Sequence, residues 1–230
     1  IYFAFFALLL GGVWGQTTCT WTGDGLDTNW TNPDNWLSFT VPTDADDVEI
    51  ATSDNDPVLQ GTGPFKAASL IVQSGATLNL NGQTLTVVGA FSNYGELTGA
   101  LGSVLESNIF VSSGNIDVNG GLELNVGSDL SLAGTFTSSG SGIFKVSAGG
   151  NIEIATSIYA SEIIMDANGA VTRTGTSRLS ADTVRLGLNA TTTSIGSSSD
   201  PILTESTTLL SVETSSGDIW LSNIGDVNFT

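Results

Sequence analysis

Gly114-Asn-Ile-Asp-Val118, Gly121-Leu-Glu-Leu124 and Ser128-Asp-Leu-Ser-Leu132 follow one another with little between them, and the pattern resumes at Gly150-Asn-Ile-Glu-Ile154. In each, apolar residues alternate with polar ones, the period of a strand with one buried face. Ile116 and Val118, or Ile152 and Ile154, then point one way, and Asp117 and Glu153 point the other. Gly114 and Gly121 are seven positions apart, too close for a crossover helix, so a doubly wound α/β fold is excluded.

The same pattern extends outward from this stretch. It runs back through Thr84-Leu-Thr-Val87, Ala76-Thr-Leu-Asn-Leu80 and Ser69-Leu-Ile-Val72. It runs forward to Gly217-Asp-Ile-Trp-Leu221 and Gly225-Asp-Val-Asn-Phe229. A β-sandwich favours longer strands and sparser turn signals. Short strands punctuated by Gly, Asn and Ser favour a right-handed parallel β-helix, with about three strands per coil. Stacked coils pair each strand above and below, and Asn at the turns can ladder its amides. The final residues still read as a strand, so the helix over 61–230 is expected to be incomplete at its C-terminal end.

Residues 16–60 read differently. Trp21, Trp30 and Trp36 crowd among Asn, Asp and Pro, and Asp47-Val-Glu-Ile50 alternates as a strand. This is the composition of a Trp-rich N-terminal cap, which a solenoid needs to cover its first rung. Before it, Ile1 to Leu10 are all apolar, and Val13 and Gly15 suit a signal-peptidase site, giving an expected signal peptide over 1–15. The apolar run is too short to span a bilayer, so no membrane insertion of the mature chain is expected. With no initiator Met and no basic segment ahead of it, the chain reads as truncated at its start. A mature terminus at Gln16 resembles those of Bacteroidetes secreted proteins.

Composition narrows the function. The net charge is −18, from 23 acidic and five basic residues, which disfavours nucleic acids and anionic membranes as partners. Solubility explains that charge, and calcium binding by acidic loops is the sharper alternative. The chain has no His, which removes Ser-His-Asp and Cys-His catalysis. Cys19, the sole cysteine, cannot form an internal disulfide and reads as a small buried residue, with an intermolecular bridge as the alternative.

Four groups of residues are candidates for chemistry. Asp44, Asp46 and Asp47, together with Asp54 and Asp56, are close enough in sequence to offer oxygen ligands to calcium, or to serve as solvated turn caps. Trp30 and Trp36 could stack on sugar rings, or form the local core of the cap. Asp117, Glu123, Asp129 and Glu153 occur singly on successive strands, where a sugar-cleaving enzyme would cluster its carboxylates. Arg173, Arg178 and Arg185 could line one face and contact an acidic sugar, or be ordinary solvated residues.

Three stretches resemble large filamentous-haemagglutinin-like bacterial surface adhesins. They are Trp21-Thr-Gly through Trp36 to Asp46, Ser74-Gly-Ala-Thr-Leu-Asn-Leu-Asn-Gly82 through Gly95, and Ser194-Ile-Gly to Thr204 with Gly217-Asp-Ile-Trp-Leu221. The resemblance implies a β-helical stalk exported to the cell surface, associated with the outer membrane and used for adhesion to a host or environmental glycan or protein surface. It carries over no catalytic residue, so no enzymatic activity is expected and no cofactor is required. The alternatives are a secreted polysaccharide lyase or glycoside hydrolase on the same fold, or a carbohydrate-binding module.

Overall fold

The structure, a computed structural model, describes residues 18–138, 142–187 and 191–225. The signal peptide expected over 1–15 and the strand expected at 226–229 lie outside the described residues. The chain is all-β, with parallel strands stacked as a β-solenoid of about 8 turns. Side chains at stacked positions meet after 22 residues, as in Ser69 on Asp47, or after 19, as in Asn93 on Ser112. At the ~4.8 Å spacing of paired strands, such a stack is roughly 40 Å long.

One long sheet runs the length of the described chain. Its main path is Thr18–Trp21, Asp47–Ile50, Ser69–Val72, Thr84–Asn93, Val104–Ser112, Leu122–Val126, Ile143–Ala148, Glu162–Ala167, Arg178–Leu186, Ile202–Val212 and Leu221–Asn223. Two four-stranded sheets flank it. One holds Thr77–Asn79, Glu96–Thr98, Asn115–Asp117 and Thr135–Thr137, and the other Leu130–Leu132, Ile152–Ile154, Ala170–Arg173 and Ser194–Ile195. The three-strand coil read from the sequence is therefore present, but its faces are not separate throughout. The first half of Thr84–Asn93 pairs with Phe65–Ala67 and its second half with Ser69–Val72. A register shift between Val87 and Ala90 marks the corner round which this strand bends.

Alternation builds the core. Leu122–Val126 buries every second residue, and each buried position stacks on its equivalent one coil away. One column is Leu85, Leu105, Leu124, Val146, Met165 and Leu186, in continuous register. Another is Leu78, Leu97, Ile116 and Phe136. All these side chains are buried, while Asp117 and Glu153 point outward as the alternation requires. Burying a Leu or Ile side chain is worth about 1.5–3 kcal/mol, so each column contributes substantially to the stability of the stack.

The turns must be thin for coils to approach this closely. Gly114 sits on Gly95, and Gly134 on Gly114, in successive coils. A Cβ at Gly114 would lie 2.1 Å from the Gly95 carbonyl oxygen, and one at Gly134 2.3 Å from that of Gly114. No side chain fits there, which is the reason these turns use glycine. The amide ladder expected at the turns takes a different form. Asn93 is buried, and its Nδ2 donates to Ser112 Oγ at 3.2 Å and to the Asn115 carbonyl at 2.9 Å.

Candidate functional site

The Trp-rich segment is built around Trp36. Asn32 precedes Pro33, whose fixed φ suits the first position of a helical turn. The Asn32 side chain accepts from the Asp34 N–H, and the 3-10 turn Pro33–Asn35 follows. This turn delivers Trp36 edge-on to Trp21, with centroids 5.0 Å apart, and to Trp30, at 4.8 Å. Trp36 Nε1 donates to the Trp30 carbonyl and Trp21 Nε1 to the Asn55 carbonyl. Trp30 and Trp36 are 0% and 1% exposed, so each ring is covered within the cap and offers no open face to a sugar. This is the packing alternative of the two readings. Cys19 is buried beside them, and Ser38 Oγ donates to its sulfur at 3.6 Å.

Sequence reading missed the polar clasp beneath the ring cluster. Buried Asn35 donates from Nδ2 to Asp27 at 2.7 Å and accepts from the Gly25 N–H at 2.9 Å. Asp27 also accepts from the Asn29 N–H and the Asn32 amide. These donors, the Asn29 N–H foremost, hold the Asp27 carboxyl below its ordinary value of 3.8. The Asx-type spacing of Asp27, Asn29 and Asn32 was the available signal.

The acidic loops are held by partners of their own. Asp44 pairs with Lys66 at 3.0 Å. Asp46 accepts from the Thr43 N–H and hydroxyl, and Asp47 from the Ser69 hydroxyl. Asp54 is exposed, and Asp56 carries a buried Oδ1. Among the described residues, no three His, Cys, Asp or Glu side chains are grouped as a metal site.

The four outward acids do not converge. Asp117 lies on one small sheet and caps the Asn119 N–H, while Glu153 lies on the other and accepts from Ser131. Glu123, on the long sheet, pairs with Lys145 at 3.0 Å, and Asp129 accepts from Asn151 in a turn. The arginines do not line one face either: Arg173 lies on a small sheet, and Arg178 and Arg185 lie on one long-sheet strand, on opposite sides of its register shift between Ala181 and Thr183. Arg173 pairs with Asp200 at 3.6 Å, Arg178 with Glu205 at 3.5 Å and Arg185 with Glu162 at 3.0 Å. All five basic residues of the chain are thus engaged by a carboxylate.

A different region has the shape of a site. A groove of ≈ 590 Å³ runs along the long sheet where it meets the corner of the solenoid. That volume is in the range of ligand pockets. One wall is an outward row in continuous register: Thr86, Glu106, Asn125, Ser147 and Asp166. The adjoining row is Val87, Ser107, Val126 and Ala148, which turn toward the core. Ser107 stands there at a position its neighbours fill with apolar side chains. It is 7% exposed, and its hydroxyl has no hydrogen-bond partner among the described residues. Leaving a buried hydroxyl unpaired costs about 1–3 kcal/mol. Asp166, 6% exposed, lines the same groove.

Comparison with known proteins adds one match. The model of a family described as a domain of unknown function (DUF8693) matches residues 20–121, from the Trp-rich segment into the solenoid. No curated protein and no solved structure matches the chain.

Proposed function

We propose that this chain is the structural and adhesive stalk of a secreted, surface-exposed bacterial protein, without enzymatic activity of its own. The observation that supports this reading most is the uninterrupted parallel stack from Thr18 to Asn223 around one core. Such a stack is stiff because every coil is paired on both sides, so it can hold a contact surface away from its point of attachment. The placement of the charged groups favours the same reading. Glu123, Asp129 and Glu153 are distributed around the coil, and each basic side chain is already neutralised. A polyuronate lyase needs a cation beside its substrate carboxylate, and these five are committed elsewhere.

The test has two parts. Antibodies against the chain are applied to intact and to permeabilised cells of the producing bacterium, and beads coated with the full chain are flowed over glycan- and protein-coated surfaces. Labelling of intact cells and retention of beads are expected. Labelling only after permeabilisation, or no retention on any surface, would overturn the reading. Release of unsaturated sugar from polyuronates would replace it with the lyase alternative.

A further inference from the structure

The geometry points to the groove along Thr86, Glu106, Asn125, Ser147 and Asp166 as a binding site for a neutral, linear oligosaccharide. This deepens the adhesive reading and rests on it, by naming the contact face and its ligand class. Three observations converge. The row places one polar side chain per coil, at the ~4.8 Å spacing of paired strands, so it presents hydrogen-bonding groups at regular steps along a straight line. A chain of sugar units meets such a row unit by unit. The groove carries the Glu106 and Asp166 carboxyl groups, and no Lys or Arg lines it, so uronates, sulfated sugars and phosphates are repelled. Exposed Val88 on its lining suits the C–H face of a sugar ring, while the carboxyl, amide and hydroxyl groups of the outward row suit the ring hydroxyls.

Other ligands fit less well. Glu106 and Asp166 are three coils apart in register, about 14 Å at the spacing of paired strands, too far to share one cation. An extended peptide would seek strand-edge N–H and C=O groups, and those beneath the groove are already paired in the sheet.

The experiment measures binding of cellohexaose, maltohexaose, mannohexaose and chitohexaose to the full chain by ligand-observed NMR, with hexagalacturonate as the acidic control and calcium chloride as a separate titrant. Variants are Asp166→Asn and Asn125→Phe, the second filling the groove from an outward position, with Thr172→Phe on another sheet as control. Thermal unfolding of each variant checks its fold. At least one neutral hexasaccharide is expected to bind, hexagalacturonate is not, and Asp166→Asn weakens binding by about tenfold or more. Cleavage of a bound neutral hexasaccharide that the groove variants abolish would support the site and overturn the non-enzymatic reading. Sugar binding unchanged in both groove variants overturns the groove while leaving an adhesive face elsewhere. Calcium binding that Asp166→Asn abolishes, with no sugar bound, makes the groove a cation site and overturns the proposal. Absence of any sugar binding while coated beads are still retained on surfaces also overturns it and spares the adhesive reading. Absence of both fails both.

Discussion

Phe91 and Phe110 stack in neighbouring coils with ring centroids 5.5 Å apart and planes 5° from parallel. They are partners in the strand register, and the rings follow Leu70 in the same inward column. Replacing Phe91 by Ala is expected to cost about 3–5 kcal/mol, because transfer energy is lost and a cavity opens in the column. Urea unfolding followed by Trp fluorescence measures it. A loss below about 1 kcal/mol would mean that the column repacks freely.

The glycine column sets a steric limit on how coils approach. Gly114→Ala forces a Cβ into the Gly95 carbonyl, and an overpacking cost of about 1–3 kcal/mol or more is expected. Gly175→Ala meets open space and only the positive φ of 62° disfavours it, so about 1 kcal/mol is expected there. The order of the two unfolding midpoints is the measurement. Equal midpoints would show that the turn at Gly114 relaxes.

Asp27 makes the cap sensitive to acid. Its carboxyl is held below the ordinary 3.8 by the Asn29 N–H and then by the Asn35 amide. Its contribution to stability is therefore complete above the unfolded value, and it is lost as the pH falls from there through the lower folded value. Comparison of wild type with Asp27→Asn across pH 6 to about 2 tests this. The stability difference between the two should narrow in the acid range; a difference independent of pH would assign the clasp to neutral hydrogen bonds alone.

Lys145 and Glu123 form a half-exposed pair across adjacent strands. Lys145→Met is expected to cost no more than about 1 kcal/mol. The difference should shrink in high salt, as screening weakens the wild-type pair. A larger, salt-independent loss would indicate that the Lys145 stem packs on the sheet.

Much of the fold was legible because it rests on a period of two. The alternation in Asn115-Ile-Asp117 and Ile152-Glu-Ile154 places Ile116 and both isoleucines inward without knowledge of any neighbour, and the structure has them there. The bend within Thr84–Asn93 was not legible, since Val88 and Gly89 continue the run and only pairing with two earlier strands reveals a corner. The candidate sites fared differently. Nearness in sequence suggested one face for Arg173, Arg178 and Arg185, but a coil turns through its faces within about twenty residues, so neighbours in the chain diverge in space. Residues that do share a face, such as Glu106, Asn125 and Asp166, are separated by whole coils.

The sequence by itself determined the strand periodicity, the parallel solenoid and the crowding of tryptophans near its start, because each follows from local alternation, turn residues and composition. Only the tertiary structure decided that Trp30 and Trp36 are covered, that every basic side chain has an acidic partner, and that Ser107 lies unpaired beside a groove. Those features depend on which residues of different coils come into register. Register is set by the summed packing of the whole stack, which no single stretch of sequence contains.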